Sequence, residues 1–207
     1  MTVRTLPGGQ TLEAVHRAAR DEGLAPALTA LCGTVAADRL PRGPGGHGLY
    51  AATTELPAGV TEVGSAGLPG GPVVMVRHDG GGGAGHQDAA FGLGLVWLRL
   101  GLSEWLREEV VAYLQGRTVG DGNPLLQQQL LRSAVAEALL EHLEVRAVVE
   151  GAAPGELSGA ALDDLQERLT VADRSQVRML GASGYLSTGP GQVAYVSELL
   201  AEAYPAG

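Results

Sequence analysis

The chain has 207 residues, a formal net charge of −9 and 45% hydrophobic residues, enough to bury a substantial core in one domain or in a main domain with a smaller companion. Every basic residue is Arg, Lys and Ile are absent, and no Arg cluster exists. Nucleic acid is therefore not an expected partner, because phosphate-backbone affinity comes from gathered cations. The single cysteine, Cys32, has no disulfide partner and no metal-ligand spacing, which points to a reducing compartment.

The N-terminus, MTVRTLPGGQ, has no apolar signal core, and the expected location is cytoplasmic. Residues 11–22 (TLEAVHRAARDE) predict a short amphipathic helix with Thr11 as N-cap and Gly23 as its stop. From Leu24 to Gly85 the texture changes to short apolar runs, ALTALCGTVAA, GLYAATTEL and GPVVMVRHD, cut by Gly/Pro turns. Those runs predict several short strands, a small sheet packed on the helices.

From Asp88, as N-cap, a long helix is predicted to Gly116, with Phe91, Leu95, Leu98, Leu102, Leu106, Val110 and Leu114 on one face. Its apolar start, 89–98, is broken by Gly92 and Gly94 and followed by Arg99 and Glu104, so it reads as a buried helix face and not as a membrane span. A second long helix is predicted from Asn123, with Pro124 in its first position, to Gly151. Each is roughly 27 residues, about 40 Å at 1.5 Å per residue, a length that implies a bundle. Ser158 caps a third helix, in which Leu162, Leu165, Leu169, Ala172 and Met179 share a face, and the turn 181–184 ends it. A fourth helix follows Pro190 and stops at Pro205. The expected fold is mainly α: a four-helix bundle over 88–207, preceded over 1–87 by a short helix and a small β-rich region.

Candidate chemistry is sparse. His78, Asp79, His86 and Asp88 fall within eleven residues, but the glycines between them make a floppy chelate, and a flexible loop is the preferred reading over a metal site. The same glycines lack the Lys-Ser/Thr pair of a phosphate loop. Cys32 and His47 as a thiol–imidazole pair are outweighed by a buried structural cysteine. Ser183, in GASGY, follows a helix and lacks the closing glycine of a nucleophile elbow. His142 reads as a packed side chain. Asp163 and Asp164 point about 100° apart on a helix and read as solvated surface.

The order helix, AYLQGRTVG elbow, PLLQQQLLRSAVAEALLEHLEVRAVV helix, then a helix ending in QVRMLGASGYLSTGP resembles the C-terminal helical domain of the acyl-CoA dehydrogenase family over about residues 88–207. In that family the elbow reads Arg-x-x-Phe-Gly and the later turn Gln-x-x-Gly-Gly-x-Gly-Tyr/Phe, and the two turns hold FAD across a subunit boundary. The resemblance therefore implies cofactor-binding roles for Arg117 and Thr118 at the elbow and for Arg178, Gly181, Ala182 and Gly184 at the turn. A guanidinium and bare backbone N–H groups suit a diphosphate.

The departures are as specific as the match. Gly116 stands at the family's Arg position, Val119 at its Phe, Arg178 at its Gln and Ala182 at its second Gly. The family's proton-abstracting Glu, in Tyr-Glu-Gly, corresponds to Pro205 in Tyr204-Pro205-Ala206, and proline cannot take a proton. Gln127, Gln128 and Gln129 offer no base on the second long helix, and no catalytic residue is assigned. The expected protein is a degenerate family member, a partner or scaffold subunit for flavin-dependent oxidation of an acyl thioester. It would pair through its bundle with itself or with a complete flavoprotein and share FAD with that partner. Two rivals are an enzyme with a pocket between sheet and bundle, using Arg117, Arg178, Tyr185 and His78 or His86, and a pure oligomerisation module.

Overall fold

The structure is a computed structural model that describes residues 7–35, 40–79, 88–118, 120 and 122–206, with side chains from Thr11 onward. In chain order it comprises α1 (Pro7–Asp21), α2 (Leu24–Cys32), β1 (His47–Ala51), β2 (Val60–Leu68), β3 (Gly71–His78), α3 (Ala89–Gly116), α4 (Gln129–Glu150), α5 (Gly159–Met179) and α6 (Pro190–Ala203). Short 3₁₀ turns at Leu125–Gln127 and Gly181–Tyr185 precede α4 and follow α5. The fold is mainly α, as the periodicity predicts.

The caps set the helix ends. Asp88 accepts from the Ala90 N–H at 2.8 Å and Ser158 from the Ala161 N–H at 3.2 Å, each covering an amide that the first helical turn cannot pair. Helix α1 begins at Pro7, four residues before the predicted Thr11. Gly116 is the last residue of α3, and Arg117 beyond it is extended.

Two predictions are corrected. The run ALTALC is helical, not a strand: α2 packs Leu24, Leu28 and Leu31 into the core, and a nine-residue apolar segment carries no period that separates the two states. Pro124 does not begin a helix. It bridges to Thr118, and the Arg117 carbonyl accepts the Leu125 N–H at 2.7 Å, so the chain turns through a 3₁₀ segment before α4 starts at Gln129.

The sheet is antiparallel with order β1-β3-β2, and a bulge falls between Glu62 and Gly64. Its β2–β3 turn presses on the α1–α2 corner so closely that a Cβ on Gly70 would stand 2.1 Å from the Glu22 carbonyl oxygen. Tyr204, just after α6, ties the sheet to the bundle: its hydroxyl accepts the Leu49 N–H at 2.8 Å, and its ring meets Phe91 edge-on at 5.1 Å.

Helix α3 is the axis. From Phe91 to Glu104 every residue is buried, so the one dry face read from the sequence is in fact a whole circumference. One side takes α1 and α2, and the other takes α4, α5 and α6. Gly101 permits the α1 contact, since a Cβ there would lie 2.5 Å from the His16 carbonyl oxygen. By length and composition α3 could cross a membrane, but 83% of its most apolar window is covered by the rest of the protein. Residue pairs crossing α3–α4 and α5–α6 run in opposite chain order (Glu104–Arg146 and Arg107–His142; Arg174–Glu198 and Asp163–Ala206), while those crossing α3–α5 run in the same order (Arg99–Gln166 and Ser103–Asp173), so the four helices alternate up and down.

Candidate functional site

The two turns singled out by the sequence lie at one end of the bundle. Leu114 at the elbow, Leu131 at the start of α4, Leu180 at the end of α5 and Ala194 on α6 share one apolar cluster. Arg117 is exposed, with its guanidinium 4.8 Å over the Tyr113 ring, and Thr118 is exposed beside it. At the second turn Arg178, Gly181 and Ala182 are exposed, and Gly181 has φ +55°. Gly184 is buried: a Cβ on it would meet the Val177 carbonyl oxygen at 2.7 Å, and one on Gly191 the Gly184 carbonyl oxygen at 1.6 Å. The structure brings the predicted residues to one end and leaves both guanidinium groups without a carboxylate among the described residues.

The remaining candidates separate. His78 Nε2 lies 3.4 Å from the Tyr50 hydroxyl, and burial with the nearby Arg42 charge pulls its pKa down. His86 and Val119 lie outside the described residues. Among the described residues no group of three or more His, Cys, Asp or Glu could hold a metal ion. Asp163 is half-buried, not solvated, and accepts the Ala206 N–H at 2.8 Å. Burial pushes the Cys32 thiol up to about 11.

A second constellation escaped sequence reasoning. Arg99 is fully buried, and among the described residues no carboxylate pairs with it directly. It donates to Ser197 Oγ at 3.0 Å, to the Gln166 carbonyl at 3.0 Å and Oε1 at 2.8 Å, and to Thr170 Oγ at 2.8 Å. One turn on, Ser103 donates to Asp173 Oδ1 at 2.5 Å, with His142 Nε2 at 2.7 Å on its other side. Arg107 donates to His142 Nδ1 at 2.8 Å; a guanidinium only donates, so the imidazole proton sits on Nε2 and passes to Ser103 Oγ. Burial, then the Arg107 charge, lowers His142 to about 4, and burial raises Asp173 to about 6 despite Arg99 and the Ser103 bond. Gln176 is fully buried and its Oε1 has no donor.

Beside this layer Glu104 is 5% exposed, with Arg146 at 2.6 Å and His16 at 3.1 Å. Although burial opposes it, bonds from His16 and Arg146 hold Glu104 down at about 2. A signal for the layer was present: on a helix dry all round, the polar residues Arg99, Ser103 and Glu104 have nowhere to point but inward.

Two clefts formed by the described residues lie between helices. One, about 590 Å³ between α1 and α4, is lined in part by Trp97, Glu104, Arg107, His142 and Arg146. The other, about 370 Å³ between α5, the second 3₁₀ turn and α6, includes Asp173, Arg178, Gly184, Tyr185, Gln192 and Tyr195. Asp173 and His142 thus border opposite clefts.

Fold and site define a mainly α protein, an up-and-down bundle carrying a small antiparallel sheet and a polar layer through its middle. The sequence matches no protein-family model and no curated protein. Among solved structures it is similar to an acyl-CoA dehydrogenase from Slackia heliotrinireducens, at 18% identity and TM-score 0.53, over 72% of this chain and 46% of that one. It is also similar to a glutaryl-CoA dehydrogenase from Mycobacterium smegmatis in complex with FADH2, at 18% identity and TM-score 0.52, over 72% and 45%. Butyryl-CoA dehydrogenase from Megasphaera elsdenii matches at 14% identity and TM-score 0.51, over 76% and 51%. The chain has an acyl-CoA dehydrogenase-like fold and spans about half the length of these solved relatives.

Proposed function

We propose that this chain is a catalytically incomplete acyl-CoA dehydrogenase-like protein of the cytoplasm that serves as a partner or scaffold subunit for flavin-dependent oxidation of an acyl thioester. It assembles through its bundle with a complete flavoprotein or with itself. The observation that carries this reading is the end of α6. Where the resemblance places the proton-abstracting Glu there stands Pro205, and the preceding Tyr204 is anchored under the sheet by the Leu49 N–H and Phe91. That segment serves packing, and it offers no base.

The residues present fit one part of a flavin nucleotide. Exposed Arg117 and Arg178, with Thr118 and the exposed backbone of Gly181 and Ala182, suit a diphosphate at the bundle end; Gly184 shapes the turn from below, against Val177. Bound there, FAD would supply hydride acceptance to the partner's substrate site. The adjoining cleft of about 370 Å³, at the low end for a ligand pocket, would not enclose the whole nucleotide, which supports sharing across a subunit boundary.

Mixing the purified chain with FAD alone is expected to give no stoichiometric yellow complex after gel filtration. A yellow one-to-one complex that oxidises an acyl thioester unaided contradicts the proposal.

A further inference from the structure

We infer that Asp173 is a reversible proton acceptor for an anionic ligand held in the α5–α6 cleft, and that Ser103 and His142 carry its proton to and from the α1–α4 cleft on the other side of the bundle. The inference does not rest on the flavin reading.

The geometry is a continuous chain. Asp173 borders one cleft, and its Oδ1 accepts from Ser103 Oγ at 2.5 Å. Ser103 is fully buried and meets His142 Nε2 at 2.7 Å. His142 is 1% exposed and borders the opposite cleft, where Nδ1 faces Arg107 at 2.8 Å. Every junction is of hydrogen-bond length, and each of the three groups can both take and give a proton. Three side chains from three helices thereby connect two clefts that the apolar bundle otherwise separates.

A second observation, made on a different side chain, fits one more proton in the layer. Gln176, fully buried, leaves Oε1 without a donor, while its Nε2 lies 3.4 Å from Ser103 Oγ and 3.5 Å from Asp173 Oδ1. A buried acceptor with no donor is costly, and protonation of the neighbouring carboxylate, with rotation of the amide, supplies what is missing. The charges facing Asp173 agree. Arg99 from α3 favours its anion, Glu198 from α6 opposes it, neutral His142 from α4 adds no charge, and burial places its titration at about 6. Arg174, on its own helix, is paired with Glu198 and is not available to it.

The proton balance closes. A hydronium in the α1–α4 cleft gives a proton to His142 Nδ1, displacing the Arg107 N–H. The Nε2 proton moves to Ser103 Oγ, and the Ser103 hydroxyl proton moves to Asp173 Oδ1. Three N–H or O–H bonds form as three break, the Asp173 charge is neutralised, and the imidazole is left with its proton on Nδ1. The reverse sequence starts from that Nδ1-protonated ring: Asp173, after exchanging its proton with the ligand, returns an Oδ1 proton to Ser103, Ser103 returns its own to Nε2, and the Nδ1 proton leaves to water in the α1–α4 cleft. The ligand class follows from the second cleft, where Arg178 has no carboxylate partner among the described residues and Tyr185 and Tyr195 stand exposed: a carboxylate or phosphate with a flat or apolar body.

The test uses the full chain. Dicyclohexylcarbodiimide, a small apolar reagent that adds to protonated carboxyl groups, is expected to label Asp173, with a rate falling about tenfold or more between pH 5 and pH 8. Benzoate, as the anionic probe, is expected to slow that labelling in the parent and not in Arg178→Ala. In parallel, ¹⁵N NMR of the imidazoles is expected to show His142 protonated on Nε2 at pH 8, with an Nδ1-protonated form growing in as Asp173 titrates. That form is absent from Ser103→Ala and from the near-isosteric Asp173→Asn, whose amide dispersion reports that the fold is kept. Absence of an Asp173 adduct in the parent overturns the proton acceptor, an unchanged His142 tautomer overturns the relay, and labelling indifferent to benzoate overturns the anionic ligand.

Discussion

Replacement of Arg99 by Met is expected to lower the unfolding free energy by about 3 kcal/mol at pH 7, the low end of the range for removing one partner of a buried charged set. The guanidinium favours the anion of the buried Asp173, and it holds four acceptors from α5 and α6 against α3. Methionine fills much of the volume but leaves Gln166 Oε1 without its donor and Asp173 without its counter-charge. Partial protonation of Asp173, already raised to about 6, relieves some of the cost, which is why the low end applies. A urea midpoint within error of the parent's would show that the layer is not held by Arg99.

The second large effect is on pH dependence. His142 falls from an ordinary 6.5 to about 4 because burial and Arg107 favour the neutral ring; the stability this gives is present above pH 6.5 and lost as pH falls through 4. Asp173 rises from 3.8 to about 6, so its contribution is full below pH 3.8 and lost as pH rises through 6. At about 1.4 kcal/mol per pH unit of separation, each amounts to roughly 3 kcal/mol, with opposite sign over nearly the same window. The parent protein is therefore expected to hold a nearly constant unfolding free energy between pH 6 and pH 4.5. It should weaken below pH 4.5, where Glu104, held at about 2 by His16 and Arg146, loses its advantage. Asp173→Asn removes one of the two opposing slopes and is expected to lose about 3 kcal/mol between pH 6.5 and pH 4, read as urea midpoints. A mutant curve parallel to the parent's would contradict the opposed titrations.

What the sequence disclosed follows from where its information is local. Asp88 and Ser158 as caps, Gly23 and Gly181 as stops, and the apolar spacing of α5 and α6 are written within one or two turns of chain, and they placed four helix ends to within a residue. The start of α4 was missed because the Thr118–Pro124 bridge that holds the elbow extended is a contact between residues on either side of the turn. Helix α2 was missed because its apolar run is too short to show a period.

The polar layer was missed for a different reason. Arg99 reads as the end of an apolar stretch only if one side of α3 faces water, and it is α1, some eighty residues earlier, that closes that side. His142 is packed as its leucine-rich surroundings predict, but its partners Ser103 and Arg107 lie 39 and 35 residues before it on another helix. The turns at 117–118 and 178–184 were legible as motifs. Their shared position at one end of the bundle follows only from the antiparallel packing.

The central claim is that the bundle is a subunit and not a self-sufficient flavoenzyme. Native mass spectrometry of freshly purified protein tests it by weighing the assembly and any small molecule held in it together. The claim predicts dimers or larger assemblies carrying no flavin on this chain alone, with FAD retained only when a complete acyl-CoA dehydrogenase subunit is in the complex. A monomer carrying one FAD would contradict it.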